Sequence, residues 1–310
     1  MISAKVIQDS VSEVGIRITT MELLYPRFIH SEFMTHRVFS RNSASSRAIP
    51  IEKMIETIEN NPASPIHWGK NQAGMQAKEE LEEHKLWQAQ QIWLAAAKHA
   101  IEHSRNMANL GVHKQIANRI TEPYQWMKVV VTATDWENFF WLRDHPDAQP
   151  EIAELAKQMK KAMNESTPFL LYEGEWHVPY VQRVRGKVFG ELMYGTFVQG
   201  ETGSYFAPMT LEQAKMISAS CCAQVSYRKT DDSLEKAQMV FDRLINSEPV
   251  HASPVEHQAT PLIECAYPVD GCNVQKRVTK DNIDKYLYYS NNFRGWIQYR
   301  ALIPNNVKQQ

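Results

Sequence analysis

The sequence has few cysteines, and their spacing argues against a zinc site. Its four cysteines in 310 residues are Cys221, Cys222, Cys265 and Cys272. No two of them form the Cys-x-x-Cys pair that structural zinc sites use, so we assign no metal. The N-terminus lacks the apolar segment of a secretory signal, so we expect a reduced, cytoplasmic compartment and no disulfide framework.

Long apolar runs and a strong net charge are also lacking. No stretch approaches the roughly 20 apolar residues of a membrane span, so no membrane partner is expected. The net charge is −1, which argues against binding of polyanions over the whole surface, so no nucleic-acid partner is expected either. Any basic site must be local. A chain of this length can bury about three quarters of its unfolded surface, which is enough for a full core in one large domain or two small ones.

One basic stretch lacks carboxylates altogether. Between Phe33 and Ile51 there is no Asp or Glu, while His36, Arg37, Arg41 and Arg47 alternate with Ser, Thr and Asn. Arginine forks bind phosphate oxygens bidentately, and hydroxyl and turn N–H groups fill the remaining acceptor sites. The composition therefore suits a phosphorylated ligand and a solvated basic loop equally well.

The spacing within this stretch separates the two readings. His36-Arg37-x-x-Ser-x-Asn-x-x-Ser45-x-Arg47 resembles the signature of the flavin-dependent thymidylate synthases, the ThyX family, which reads Arg-His-Arg-x-x-Ser-x-Asn-Glu-x-Ser-x-Arg. Thr35 stands where the family has its first Arg, and Ser43 stands where it has Glu. Both are ligand-contacting positions in the family.

A second block resembles the same family. Arg119-Ile-x-x-Pro, the run from Asn138 to Arg143 and Ala148-Gln-Pro-Glu-Ile are similar to the family's Arg-x-x-x-Pro, Asn/His-Phe-Leu-x-Leu-Arg and Ala-Gln-x-Glu-Ile. The family's last Arg holds the uracil ring and favours loss of its N3 proton, and Arg143 matches it. The family's flavin-contacting Asn-x-Arg is replaced here by Thr132-Ala-Thr134.

A third block also resembles the family, but it occurs after the His-Arg signature instead of before it. Ala-Gln-Val-Ser226-Tyr, and then the run from His251 to His257, resemble segments that precede the signature in ordinary members. The order implies a circular permutation, which is tolerable because chain termini lie at the surface and often close together. We expect a single domain over 1–310. Its predicted parts are a signature and nucleotide-binding part (1–168), an insert (169–210), a permuted flavin-binding part (211–265) and a C-terminal extension (266–310).

The resemblance implies an activity, its ligands and its residues. The expected reaction is reductive methylation of dUMP with FAD, NADPH and methylenetetrahydrofolate, in a homotetramer whose active sites are shared between subunits. Arg143 is the expected catalytic cation. The expected nucleotide-binding residues are Ser45, Arg47, Arg119, Arg143 and, ranked last, Glu32; the expected FAD-binding residues are His36, Arg37, Asn138, Ser226, Ser253 and Glu256.

The expected fold is α+β, with an antiparallel sheet beside long helices in permuted order. Apolar periodicity predicts a helix over 72–110, a second over 112–122 and a further one over 281–289, with Asp135 capping a helix through Arg143. Residues 264–276 are expected to be irregular, and the tail from Asn292 to Arg300 is expected to dock on the core.

Two other functions remain open. The departures at Thr35, Ser43 and Thr132–Thr134 allow a related enzyme that modifies the pyrimidine differently, for instance by hydroxymethylation. They also allow a non-catalytic nucleotide- or nucleic-acid-binding homologue. Without the resemblance, Arg143 beside Asp144 and Asp147 would read as a surface ion pair.

Overall fold

The computed structural model describes most of the chain. The described residues are 1–186, 190–200, 203–226, 231–262, 264–269, 272–277 and 292–307. The helix predicted over 281–289 lies outside them. Within them, no helix is long and apolar enough to cross a membrane.

A five-stranded sheet forms the centre of the fold. Its strands are β1 (Ser3–Ser12), β2 (Arg17–Pro26), β3 (Ser40–Ser43), β4 (Trp126–Ala133) and β5 (Phe169–Leu171), in the order β3-β4-β2-β1-β5. The pairs within β3-β4-β2-β1 are antiparallel, and β5 joins β1 in parallel. The antiparallel sheet that the sequence predicts is confirmed.

Eight helices accompany the sheet in the described part of the chain. They are α1 (His30–Phe33), α2 (Ile51–Asn60), α3 (Glu83–Asn109), α4 (Lys114–Ala117), α5 (Glu137–Arg143), α6 (Pro150–Asn164), α7 (Leu211–Ala223) and α8 (Leu234–Leu244). The α+β class is therefore confirmed.

Strand β4 is buried on both faces, which places the core in two layers. Val129 and Val131 pack in the same cluster as Ile152, Leu155 and other apolar residues of α6. Their neighbour Val130 points to the opposite face, because side chains alternate along a strand, and it packs on Cys222 of α7. The sheet thus lies between α6 and the C-terminal half of the chain.

Two helices are shorter in the structure than the apolar periodicity of the sequence predicts. The helix predicted over 72–110 begins only at Glu83, because Trp68 accepts a hydrogen bond from Leu81 N–H and Gly69 pairs with Glu80 across a turn. At 27 residues, α3 spans about 40 Å. The helix predicted over 112–122 is limited to α4, followed by a 3-10 turn at Glu122–Tyr124.

The start of α5 also differs from the prediction. Its N-cap is Trp136, and the side chain of the cap makes no hydrogen bond. Asp135 is therefore not the cap. The helix does end at Arg143, as predicted.

The remaining strands form three smaller sheets. They are β6 (Gln182–Arg185), β7 (Leu192–Gly200) and β8 (Gly203–Met209) in one; β9 (Ala259–Pro261) and β12 (Trp296–Gln298) in another; and β10 (Glu264–Val269) and β11 (Cys272–Arg277) in the third. The expectation that 264–276 is irregular is wrong, since β10 and β11 pair in antiparallel register. The tail does dock, with Phe293 and Trp296 fully buried.

Candidate active site

Arg143 contacts two residues of the segment that begins at Glu32. Its Nε donates a hydrogen bond to Nε2 of His36 over 3.1 Å, and its Nη1 donates to a carboxylate oxygen of Glu32. The side chains of Arg143 and Glu32 are 21% and 27% exposed. The pair is therefore neither a solvated surface pair nor a fully desolvated one.

Aromatic packing explains why these residues meet. Phe139, one turn before Arg143 on α5, is buried, and its ring lies edge-on to His36 with 4.8 Å between centroids. Phe39 stacks on the same imidazole with 5.8 Å between centroids, and it also contacts Phe139 at 5.4 Å. Phe33 touches both phenyl rings. The aromatic residues of the basic stretch thus hold its histidine against α5.

The imidazole of His36 is neutral at ordinary pH. Burial, together with the nearby charges of Arg143 and Arg41, lowers its pKa to about 4. Arg41 itself donates to the carbonyls of Phe33 and His36. A neutral ring is required here, because Nε2 must accept the hydrogen bond from Arg143.

Glu32 and Arg143 line an open cavity of about 590 Å³. Phe28 and Trp93 line the same cavity, with 6.3 Å between their ring centroids and an edge-on arrangement. Trp93 comes from α3, so the long helix contributes an aromatic wall near the guanidinium. Such a wall is suited to a flat ring.

The basic loop lies beside the segment that contains Arg119. Asn118 donates from Nδ2 to the carbonyls of Ser46 and Ile49, over 2.8 and 3.0 Å. Arg47 and Arg119 are each adjacent to a partner in these bonds, and both are exposed. Within the described residues, the charged contact of Arg119 is a long one with Glu122, at 3.7 Å. Two arginines expected to bind phosphate thus lie on neighbouring segments.

The C-terminal block folds back onto the basic stretch. Ser226 Oγ accepts a hydrogen bond from the backbone N–H of Ser45 over 2.9 Å. Asn42 donates from Nδ2 to the carbonyl of Cys222 over 3.0 Å. The 3-10 helix Ser253–Glu256 lies against β3. The C-terminal block and the basic stretch are therefore in direct contact.

Glu256 is held by the tail of the chain. Its carboxylate accepts from Nη1 of Arg300, and its carbonyl accepts from Gln298 Nε2 over 2.8 Å. The same amide of Gln298 donates to Ser40 Oγ over 2.9 Å. Burial raises the pKa of Glu256, while Arg300 and Arg41 act in the opposite direction. No local pattern in the sequence indicates this partner of Glu256.

Three of the expected flavin residues stay on the surface. Arg37, Asn138 and Ser253 are exposed, and their side chains make no hydrogen bond to the described part of the chain. The structure therefore brings together Glu32, His36 and Arg143, and separately Ser45 and Ser226, but joins these three exposed residues to neither group.

A buried string of polar side chains crosses the sheet, and sequence reasoning missed it. Ser10 Oγ lies 2.7 Å from His177 Nδ1, and Thr20 Oγ1 lies 2.8 Å from His177 Nε2. Thr20 Oγ1 lies 2.7 Å from Thr132 Oγ1, which lies 2.9 Å from His257 Nδ1. The other ring nitrogen of His257 is buried and has no hydrogen-bond partner in the part of the chain that the structure describes.

The buried string shows the structural role of Thr132, one of the positions at which this sequence departs from the family pattern. Thr132 is fully buried, and its hydroxyl is used inside the protein. Thr134 accepts a hydrogen bond from the backbone N–H of Arg294, over 2.8 Å. The only advance signal was the presence of hydroxyl residues within buried strands.

A family model matches the part of the chain that contains the Arg143 cluster. The model for thymidylate synthase complementing protein matches residues 16–169, about half of the chain. The chain belongs to this family. The matched segment of this chain contains Glu32, His36, Arg47, Arg119 and Arg143. It ends before Ser226.

Solved structures of similar proteins cover about the same share of the chain. A UMP/dUMP methylase, PolB from Streptomyces cacaoi, bound with 5-Br dUMP, is 15% identical with a TM-score of 0.44, over 53% of this chain and 90% of that one. The flavin-dependent thymidylate synthase ThyX from Helicobacter pylori, complexed with FAD and dUMP, is 20% identical with a TM-score of 0.33, over 47% of this chain and 67% of that one. No curated protein matches the chain in sequence.

Proposed function

We propose that the protein is a flavin-dependent thymidylate synthase, which methylates dUMP reductively with methylenetetrahydrofolate and NADPH through FAD. The family match supports a flavin-dependent enzyme that acts on this nucleotide. The observation that carries the proposal is the meeting of Arg143 with His36, in a molecule whose C-terminal block also docks on the basic stretch.

Arg143 is assigned the role of catalytic cation. A guanidinium beside a pyrimidine ring stabilises the negative charge that develops on the ring, so no protein nucleophile is needed. Both residues that contact it, His36 and Glu32, only accept its hydrogen bonds, and they hold it at the cavity wall. Its contact with Glu32 moderates its charge, and Glu32 is accordingly the weakest of the nucleotide-binding assignments.

The phosphate of the nucleotide is assigned to the basic loop. Ser45, Arg47 and Arg119 offer one hydroxyl and two exposed guanidinium groups on adjoining segments. Among the described residues, the guanidinium of Arg47 has no carboxylate partner. Exposed arginines, one without a carboxylate partner in the described part of the chain and one with only a long contact to Glu122, are well suited to bind a phosphate monoester bidentately.

The residues assigned to FAD fit a dinucleotide in their chemistry. Arg37 is an exposed cation for the pyrophosphate, and Asn138, Ser226 and Ser253 are neutral hydrogen-bonding groups. His36 and Glu256 are nearer to the core and already have partners. Reduced FAD supplies the hydride, which no side chain can supply. The residues of this chain would bind and orient it.

The domain organisation and the oligomeric state are also part of the proposal. The contacts of Ser45 with Ser226 and of Thr132 with His257 support a circularly permuted, single domain with the four parts given above. A cytoplasmic homotetramer with shared active sites completes the proposal. The long, largely exposed α3 helix is consistent with contacts between subunits.

The test is a reaction assay on the purified, FAD-loaded chain. Tritium release from [5-³H]dUMP should require both NADPH and methylenetetrahydrofolate, and the product should have the mass of dTMP. A product heavier by one oxygen would identify a hydroxymethylating enzyme instead. A colourless protein that binds no flavin and releases no tritium would refute the enzyme assignment and leave only a nucleotide-binding role.

A further inference from the structure

Glu32 and Arg143 form a neutral pair that faces the aromatic wall of one cavity. Both line the space that Phe28 and Trp93 also line. A flat ring held in this cavity would have both the aromatic side chains and the charged pair among its neighbours. The edge that fits best follows from the hydrogen-bonding capacity of the two side chains.

The pair offers acceptors and donors in a fixed order. A carboxylate only accepts hydrogen bonds, and a guanidinium only donates them. Nε of Arg143 is used by His36, and Nη1 contacts one oxygen of Glu32. Among the described residues, Nη2 of Arg143 and the second oxygen of Glu32 have no partner. A ring edge therefore meets an acceptor at one side and donors beside it.

The other acidic groups at this cavity are less suited than Glu32 to accept a hydrogen bond from a bound ring. The carboxylate of Glu151 already accepts from Ile66 N–H and from Gln149 Nε2, over 2.9 and 3.0 Å. The side chain of Asp147 is 72% exposed, so water surrounds it. Glu32 is thus the carboxylate placed to read a ring edge.

The two common pyrimidines present different edges to such a pair. Cytosine carries an amino donor followed by two acceptors, N3 and O2, which complements one acceptor followed by donors. Uracil alternates a carbonyl, an N–H and a carbonyl, so that contact with the pair leaves one carbonyl near the carboxylate. Glutamate and aspartate pair with the exocyclic amino group of cytosine in known base recognition.

We propose that this cavity admits a cytosine nucleotide, dCMP, as well as dUMP, and that Glu32 is the residue that admits it. This inference rests on the proposed function, since it concerns the same nucleotide site. Uracil binds with its N3–H on Glu32 and one carbonyl on Arg143. Cytosine binds with its amino group on Glu32 and both ring acceptors on Arg143, a more complete match to the same two residues.

The experiment compares binding of two nucleotides by three proteins. Isothermal titration of dCMP and dUMP into the FAD-loaded chain gives the ratio of their dissociation constants for wild type, Glu32→Gln and Glu13→Gln. Glu13→Gln is the matched control, because it removes one carboxylate at an exposed residue with no side-chain partner among the described residues. Binding is the readout, so turnover is not required.

The wild type is expected to bind dCMP at least as tightly as dUMP. Glu32→Gln should shift the ratio toward dUMP by about tenfold, because an amide can also donate to the uracil carbonyl and accepts more weakly than a carboxylate. The Glu13→Gln ratio should equal the wild-type ratio. If dUMP binds and the ratio is the same with Gln at position 32, the inference is wrong and the proposed function stands. If neither nucleotide binds, both are wrong.

Discussion

The backbone N–H of Ser45 donates to Oγ of Ser226 across 2.9 Å, although 181 positions separate the two residues in the sequence. One belongs to the basic loop and the other to a block near the C-terminus. A contact between such distant positions requires the intervening sheet and helices to be formed. Ligand residues in the two segments therefore depend on the whole fold for their relative placement.

Replacing Arg143 with Ala should abolish turnover and leave FAD bound. The guanidinium is assigned to the pyrimidine ring, and loss of a preorganised charge of this kind lowers kcat by about 100-fold or more. Tritium release and the flavin absorbance of the dialysed protein measure the two effects. Arg105→Ala is the control, since Arg105 is a surface arginine paired with Glu59. Wild-type turnover in Arg143→Ala would remove this residue from the mechanism.

Replacing Ser253 and Glu256 with Ala should weaken flavin retention. Both are assigned to FAD, and FAD remaining after dialysis, measured by absorbance, reports the effect. The single variants separate binding from folding. Ser253 is exposed, so Ser253→Ala should lower FAD occupancy without changing the melting temperature, whereas Glu256→Ala also leaves Arg300 unpaired. Full occupancy in the double variant would contradict the assignment of this segment.

The free energy of unfolding should fall as the pH drops from about 6.5 to about 4. Burial lowers the pKa of His36 to about 4 and that of His257 to about 3, against about 6.5 in the unfolded chain. The unfolded state therefore binds protons first on acidification, so the stability present above pH 6.5 is lost below it. Over this range we expect a loss of about 3 kcal/mol from the fully buried His257 alone, with a smaller further loss from His36, measured by urea denaturation.

His257→Gln should flatten that dependence, because it removes one titrating group that is neutral in the folded state. His99→Gln, at an exposed histidine of α3, should leave the slope unchanged. An identical slope for wild type and His257→Gln would show that His257 titrates normally in the folded protein.

Thr132→Val should destabilise the fold by about 1–3 kcal/mol, because Thr20 and His257 each lose a buried hydrogen-bond partner. The double variant with Thr20→Val should cost less than the sum of the two single changes, since removing both members of a buried pair leaves fewer groups unsatisfied. Denaturant midpoints at neutral pH give the four values of this cycle. Strict additivity would mean that the two hydroxyls do not interact.

The sequence predicted the strands and helices whose signals are local. The β-branched run at 125–134 predicts a strand and the amphipathic pattern at 149–163 predicts a helix, and these segments form β4 and α6. The apolar pattern at 72–82 predicted a helix there, and this was wrong. Periodicity does not reveal that the backbones of Trp68 and Gly69 pair with the segment around Leu81. The meeting of Arg143 with His36 could be anticipated only through the family resemblance.

Other parts of the candidate site had no local signal. The pairing of Glu256 with Arg300 and that of Thr132 with His257 join residues 44 and 125 positions apart. Neither a single arginine in the tail nor a single threonine within a strand indicates its partner. Such contacts follow from the packing of whole elements, which residue patterns do not encode one by one.

The polar string across the sheet has a direction. Arg183 donates from Nη1 to Ser10 Oγ over 2.7 Å, and a guanidinium cannot accept. A hydroxyl has one proton and two acceptor sites, so in the arrangement where every bond points the same way Ser10 donates to His177 Nδ1 and Nε2 of that ring donates to Thr20. In that arrangement Thr20 donates to Thr132, and Thr132 donates to Nδ1 of His257. His257, four hydrogen bonds beyond Ser10, then carries its hydrogen on Nε2.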